Sequence, residues 1–390
     1  MLKPVAGFAA FGLFWGAWGA ILPAIRAGAG VNDGELGVAL LMIGLGALVS
    51  MRFTGYLIDR YGGIVLPVVT VAFALCGVLP ALAGSAVSLS AALLLLGATS
   101  GATDVAVNAA GSHAEEVTGR PVMNLAHGMF SVAVVVASLG TAGLRAAGVG
   151  ALPVLGAAAA LIVLTAVIAL TPGATTAKPS SQTTAADAVP SERPTRQPVL
   201  LVLGGLCALA YLVENAWQSW SAVHLDTSLN ATAGLSSIAP AVFAAAAATG
   251  RFAGNAVLKR VRPVPLLMAG AAIAAVGSLI AATAGNSWTA LAGIGVAGLG
   301  TSVCAPTIIG MAGAWAGPER RAGAISVVTT IAYLGFLVGP AAVGALSSAW
   351  SLPSALASVA VLAVVVAALA PVGGRLAKAP VRSYRDSGPI

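Results

Sequence analysis

Long apolar blocks separated by short polar turns form the dominant pattern of this chain. A membrane-spanning α-helix needs about 20 mostly apolar residues, whereas barrel strands alternate apolar and polar residues in short segments. The blocks are unbroken, so the pattern predicts an all-α integral membrane fold of twelve transmembrane helices. The predicted spans are 4–25, 35–58, 63–84, 87–111, 122–146, 150–171, 198–222, 233–257, 264–285, 288–314, 322–347 and 352–371.

Composition supports a membrane environment. Hydrophobic residues make up 58% of the 390 residues and charged residues only 8%, against about a quarter charged in soluble domains. The net charge of +7 does not indicate nucleic acid, because no soluble basic face is predicted. The three cysteines lie singly in apolar spans, without metal-ligand spacing. We therefore expect no metal, no cofactor and no nucleic-acid partner.

The basic residues follow the predicted topology. With the amino terminus placed inside, all of the 19 Lys and Arg residues except Arg26 and Arg145 fall at cytoplasmic ends of the spans. An excess of Lys and Arg marks cytoplasmic loops. We therefore expect a multi-pass protein of the cell membrane, specifically a cell inner membrane, with both termini cytoplasmic.

A repeat divides the chain. The tetrad at 52–55, Arg-Phe-Thr-Gly, returns 199 residues later as Arg-Phe-Ala-Gly at 251–254, and Trp18 falls on Trp217 at the same offset. Such self-similarity indicates a duplicated unit. The predicted domains are a six-helix bundle at 1–172, a cytoplasmic linker rich in Thr, Ser and Pro at 173–197, a second six-helix bundle at 198–372 and a cytoplasmic tail at 373–390.

The loop between helices 2 and 3 carries the most specific motif. Its residues Gly55, Leu57, Asp59, Arg60 and Gly62 resemble the loop 2-3 signature of the major facilitator superfamily. Asp59 and Arg60 can pair with each other, cap a helix end or bind a facing helix in one conformation only.

The resemblance covers the whole chain and implies twelve helices in two pseudo-symmetric six-helix bundles. In that family the loop 2-3 controls alternation between inward-open and outward-open states. One departure is Gly63, where the family has a basic residue, and the second-half copy lacks an acid matching Asp59. The gating residues implied are Gly55, Asp59, Arg60, Gly62, Arg251 and Gly254.

Helix 4 carries an acid at membrane depth. Asp104 shares a helical face with Gly101 and Asn108, and an intramembrane acid is expensive and usually functional. Burial disfavours the charged form of a carboxyl group, as a proton carrier requires. The alternative is a structural aspartate held by Asn108 and neighbouring helices.

Helix 5 places polar residues on one face, including Asn124 and His127. At about 1.5 Å per residue, Asp104 and His127 have similar predicted depths, so they can share a proton; alternatively, a backbone carbonyl satisfies the histidine. The spacing of Asp104 and Asn108, followed by Asn124-Leu125-Ala126, is similar to the fucose-type sugar/proton symporter branch. That likeness implies that Asp104 acts in sugar binding or proton coupling.

Helix 7 is the second polar span. Tyr211, Glu214 and Gln218 share one face, with Asn215 and Trp217 beside them. Aromatic rings stack on the apolar faces of a solute while amides bind its polar groups. The alternative for the helix 7 residues is hydrogen bonding between helices. For Trp18 the alternative is packing. The predicted proton-coupling residues are Asp104, His127 and Glu214, and the predicted substrate-binding residues are Trp18, Asn108, Asn124, Tyr211, Asn215, Trp217 and Gln218.

These features predict a secondary active transporter, not an enzyme. No Walker-type glycine loop, metalloprotease motif or nucleophile motif occurs in the sequence. We expect a monomer that moves a small polar organic solute by alternating access, with proton symport, its partners being the solute, protons and the bilayer. The alternatives are proton-coupled efflux of a drug-like or amphipathic compound, and a solute sensor of the same fold that transports nothing.

Overall fold

The computed structural model describes residues 2–119, 122–170, 198–258 and 260–378, and within these ranges the chain is helical and contains no strand. Two 3₁₀ turns, Gly62–Ile64 and Leu79–Leu82, and a π turn, His224–Ser228, adjoin the α-helices. The α-helices are α1 Leu2–Ala29, α2 Asp33–Tyr61, α3 Val65–Val78, α4 Ala86–Thr118, α5 Val122–Ala146, α6 Ala151–Leu170, α7 Pro198–Val223, α8 Ala233–Ser236, α9 Ala239–Leu258, α10 Pro263–Ala282, α11 Ser287–Thr301, α12 Cys304–Ala349 and α13 Leu352–Lys378.

The helices match the predicted spans. Ten helical stretches within the described ranges are long and apolar enough to cross a membrane. One of them, Asp33–Leu82, contains 50 residues and comprises two predicted spans. The boundary between the two spans is Gly62, which caps the end of α2 with a φ of 63°. A side chain is strained at positive φ, so glycine suits this turn. With the shorter apolar helix Ala151–Val167, each predicted span is helical.

Several spans are interrupted where continuous helices were predicted. The eighth begins with the short α8 and resumes as α9, and the tenth breaks after Thr301 and continues as α12. Pro240 and Pro306 lie in the first turns of the resumed helices, where a missing N–H leaves no hydrogen bond unmade. The eleventh span is the part of α12 beyond Gly317, whose φ of 73° breaks the helix.

Helix packing is similar in the two halves. Helix α1 packs on α5 as α7 packs on α12, α2 packs on α4 as α9 packs on α11, and α3 packs on α6 as α10 packs on α13. These pairs form an amino-terminal bundle, α1–α6, and a carboxy-terminal bundle, α7–α13. Helix α13 extends through Lys378, past the predicted end of its span, while the predicted linker 173–197 and the tail beyond 378 lie outside the described residues.

The two bundles meet closely at one end, which we call the closed end. Here α2 packs along α12, so that a Cβ placed on Gly37 would lie 3.0 Å from the Cα of Gly344. The Ser237 hydroxyl donates to the Ala20 carbonyl across the bundles at 2.8 Å. The opposite end, which we call the basic end, carries Arg60, Arg260, Arg262, Arg320 and Arg321.

Candidate functional site

A cavity of about 400 Å³ lies between the two bundles. Helices α1, α2, α4 and α5 line it from one side and α7, α9 and α12 from the other. Most of the wall is apolar, and its aromatic members are Phe11, Trp15, Trp18, Phe130, Phe243, Tyr333 and Phe336. At the closed end the bundles are in contact through Gly37 and Gly344 and through Ser237 and Ala20. Arg251, which lies toward the basic end of α9, has 45% of its side chain exposed, so the cavity opens toward the basic end.

Asp104 is the acidic residue of the cavity wall. Its Oδ1 accepts a hydrogen bond from the Asn108 amide at 3.1 Å, and the same amide donates to the Asp104 carbonyl at 2.8 Å. Among the described residues, no basic side chain forms an ion pair with Asp104. A carboxylate without a positive partner is costly within the span of a membrane protein, so proton binding here removes an unpaired charge.

Glu214 lies behind the opposite wall, in an ion pair. Its Oε1 accepts from the Arg251 guanidinium at 2.8 Å and from the Gln218 amide at 3.1 Å, and only 9% of its side chain is exposed. Both donors line the cavity although Glu214 itself does not. The carboxylate therefore positions Arg251 and Gln218 toward the space between the bundles.

Asn215 and Ser219 extend this polar wall one helical turn apart. The Asn215 amide donates to the Phe336 carbonyl on α12, while its Oδ1 accepts from the Ser219 hydroxyl at 3.1 Å. Both residues line the cavity with Gln218. The carboxy-terminal wall thus carries amide, hydroxyl and guanidinium groups, opposite the carboxyl group of Asp104.

The structure corrects where several predicted substrate-binding residues lie. Trp217 is fully buried and donates to the Ser278 hydroxyl at 2.8 Å, so it packs within the carboxy-terminal bundle. Tyr211 packs against the Phe336 ring and does not line the cavity. Asn108 reaches the site only through Asp104. The side chain of Asn124 lies outside the described residues. Trp18 does line the cavity.

His127 does not form the expected pair with Asp104. Its ring lies 4.6 Å from the Phe8 ring, centroid to centroid, and it does not line the cavity. Asp104 instead takes its described side-chain hydrogen bond from Asn108. Similar depth on adjacent helices did not bring the two groups together, because depth leaves the rotation of each helix undetermined.

The loop 2-3 is exposed at the basic end. The Arg60 guanidinium donates to the Tyr56 hydroxyl at 3.0 Å and lies over the Tyr61 ring, so the internal pair with Asp59 is not formed. Gly55 has open space around its Cα. In the second half, Gly254 packs against Val303, while Arg251 faces the cavity.

Charged residues missed by the sequence analysis join the bundles at the closed end. Arg26 pairs with Asp33 at 2.7 Å, and Asp33 also accepts from the Ser347 hydroxyl of α12 at 2.5 Å. The signal in the sequence was that Arg26 is one of two basic residues away from the predicted cytoplasmic ends. These contacts link α1, α2 and α12 in the conformation seen here.

Comparison with known proteins relates the whole chain to transporters. An uncharacterized MFS-type transporter of Yersinia pestis is 32% identical over 365 residues, covering 92% of each chain. An uncharacterized transporter of Sinorhizobium fredii is 30% identical and covers 94% of this chain and 96% of its own. The membrane protein MosC of Rhizobium meliloti is 26% identical, covering 91% and 86%.

Solved structures show the same fold at low identity. A mutant of the nucleoside transporter NupG superposes with a TM-score of 0.81 at 14% identity, covering 95% of this chain and 98% of that one. A bacterial homolog of the human lysosomal transporter Spinster gives 0.78 at 16% identity, covering 96% of each. The sequence model of the Major Facilitator Superfamily matches residues 202–383. With two bundles around a central cavity, and with relatives of this identity along nearly its full length, the chain belongs to the major facilitator superfamily of membrane transporters.

Proposed function

We propose that this protein is a proton-coupled symporter of a small polar organic solute, with Asp104 as the proton site. The observation that carries the proposal is that Asp104 lines the central cavity without a basic partner among the described residues. A carboxyl group in that position can gain and lose a proton as the cavity changes its exposure. The binding site lies between two repeats, where transporters of this type bind their solutes.

The opposite wall supplies the solute contacts. Asn215, Gln218 and Ser219 present polar groups into the cavity, and Trp18 lies among the aromatic residues across from them. Polar groups that converge in an apolar pocket fix the orientation of a ligand. We further propose that both termini are cytoplasmic, which makes the basic end cytoplasmic and this conformation inward-open.

Efflux of an organic cation is the second candidate. The aromatic lining beside Asp104 favours it, because rings and a carboxylate together bind cations well. In that case, Asp104 would exchange a proton for the cation. The two candidates predict different ligands for the same cavity.

Ligand screening followed by transport measurement tests the proposal. We would measure the thermal stability of the purified protein against sugars, amino acids, organic acids and hydrophobic cations, because a ligand of the folded state raises apparent stability. Hits would then be tested in proteoliposomes with an imposed pH gradient. We expect a polar hit whose accumulation collapses with a protonophore. Stabilisation by lipophilic cations alone would favour efflux, and binding without flux in gradient or counterflow assays would identify a sensor.

Asp59→Ala should slow transport without weakening solute binding. Asp59 is exposed at the open basic end. Any contact that it makes with the other bundle therefore forms in the state in which the basic end is closed. Losing contacts made in only one state shifts the equilibrium by up to a few kcal/mol. We expect counterflow slowed about threefold or more with an unchanged Kd. Wild-type counterflow in the variant would contradict the gating role.

A further inference from the structure

Arg251 offers an anion subsite in the central cavity, and this inference rests on the proposed function. We propose that the guanidinium of Arg251 binds a carboxylate of the solute, so that the transported compound is a monocarboxylate with an apolar or aromatic body. The residue was expected to act in gating, yet the structure places it in the cavity wall beside Gln218. The guanidinium of an arginine in the wall of a cavity can bind a carboxylate specifically, because its planar fork of donors matches the geometry of that anion.

The geometry leaves Arg251 able to bind. Its Nη2 donates to Glu214 at 2.8 Å, while guanidinium carries five N–H donors in a rigid fork. Nearly half of the side chain remains exposed. Glu214 therefore fixes the guanidinium from behind, as a hydrogen-bonded carboxylate commonly orients a ligand-binding group, and the donors on the other side can pair with a carboxylate in two parallel bonds.

The charge of the wall limits the anion to a single carboxylate. Arg251 is the only Lys or Arg among the described residues that line the cavity, and Glu214 already neutralises it. A phosphate dianion would bring two negative charges into an apolar space with no second cation. A monocarboxylate brings one negative charge, and protonation of Asp104 removes one negative charge from the wall. The net charge of the cavity is therefore the same with proton and solute bound as without them, which is the charge balance of symport.

The rest of the cavity favours an apolar body. Trp15 and Trp18 from α1, and Tyr333 and Phe336 from α12, lie on opposite sides of the space. Aromatic side chains prefer to stack on flat or apolar surfaces. A highly hydroxylated solute would leave most of its polar groups unpaired against this wall. An aryl or alkyl carboxylate places its charge on Arg251 and its body among the rings.

The first experiment varies the head group on a constant body. The thermal-stability panel contains 4-hydroxyphenyl, indolyl and hexyl compounds, each as a carboxylate, a carboxamide and an amine, together with tyrosine and the broad panel above. We expect carboxylates to stabilise the protein and to bind at least about tenfold more tightly than the matched carboxamides. Failure of every carboxylate, or equal binding of the carboxamides, would overturn the subsite.

Variants then assign the head-group preference to Arg251. Arg251→Gln alone leaves Glu214 buried without its cation, so the double variant Glu214→Gln/Arg251→Gln removes both charges and keeps hydrogen-bonding groups. We expect carboxylate affinity to fall about 30-fold or more in the double variant, with the carboxylate to carboxamide ratio falling to about one. If the double variant instead binds both compounds more weakly and the affinity ratio is unchanged, the effect is a general packing defect and the assignment to Arg251 is refuted.

Two further variants complete the design. Arg251→Lys keeps the charge and loses the fork, so carboxylate binding should weaken by about tenfold. Arg52→Gln is the matched control, because Arg52 occupies the equivalent position of the first repeat and is exposed; its ratio should equal that of the wild type. Proton-driven uptake of a compound without a carboxylate would leave the symporter proposal standing and eliminate the anion subsite. Amine binding that depends on Asp104 would instead support the efflux candidate.

Discussion

Asp104→Asn should abolish proton-driven accumulation of the solute while leaving exchange across the membrane intact. Asparagine resembles the protonated acid in shape and charge, and it can still hydrogen-bond to Asn108, whose amide lies 3.1 Å from the carboxylate. The variant therefore stays in the neutral state of residue 104, in which the protein can change conformation. It loses the ability to release a proton, so the gradient no longer drives net movement.

The measurement compares two assays in the same proteoliposomes. Under an imposed pH gradient the variant should reach an accumulation ratio of about one, since a binding equilibrium without coupling cannot concentrate its ligand. Counterflow, in which internal unlabelled solute drives entry of labelled solute, should retain about half or more of the wild-type rate. Loss of both activities would point to a structural or direct binding role for Asp104.

A carboxylate away from the cavity provides the control. Glu35 is exposed at the closed end and accepts from the Asn32 backbone N–H at 2.9 Å in a capping box at the start of α2. Glu35→Gln removes one negative charge and retains the cap, because glutamine serves equally in this motif. Its accumulation ratio should match the wild type. A similar loss in Glu35→Gln would show that the assay responds to general damage and not to proton coupling.

The sequence predicted the helices well because hydrophobic length is a local property. Each span needed only its own residues, and the breaks at Pro240, Pro306 and Gly317 moved boundaries without changing the number of crossings. The fold family followed from the loop 2-3 motif and the repeat. Packing between the bundles, in contrast, depends on contacts between residues hundreds of positions apart.

The site was predicted only in part, for the same reason. Asp104, Asn215 and Gln218 line the cavity, as intramembrane polarity suggested. Trp217 is on the same helix but its ring points into the bundle, because helical spacing gives relative faces and not which face meets the cavity. Arg251 was predicted to be a gating residue at the end of its span, since basic residues usually end spans. Its partner Glu214 lies on another helix, which the sequence did not indicate.

Joining the bundles covalently at the closed end should stop transport reversibly. A Cβ placed on Gly34 would lie 3.5 Å from the Cβ of Ser348, and disulfide-bonded cysteines have Cβ atoms about 3.5–4.5 Å apart. Gly34→Cys/Ser348→Cys should therefore form a disulfide between α2 and α12. Alternating access requires this end to open, so the oxidised protein should remain in the conformation described here.

Oxidised protein should lose about 90% or more of its counterflow activity, and reductant should restore it, because a covalent link removes the second state from the equilibrium. Ligand binding from the basic end should persist, since the cavity is already open there. The single variants Gly34→Cys and Ser348→Cys, in a background with Cys76→Ala to remove the partly exposed native thiol, should transport equally with and without oxidant. A cross-linked protein that still exchanges solute would show that the bundles do not need to separate at this end.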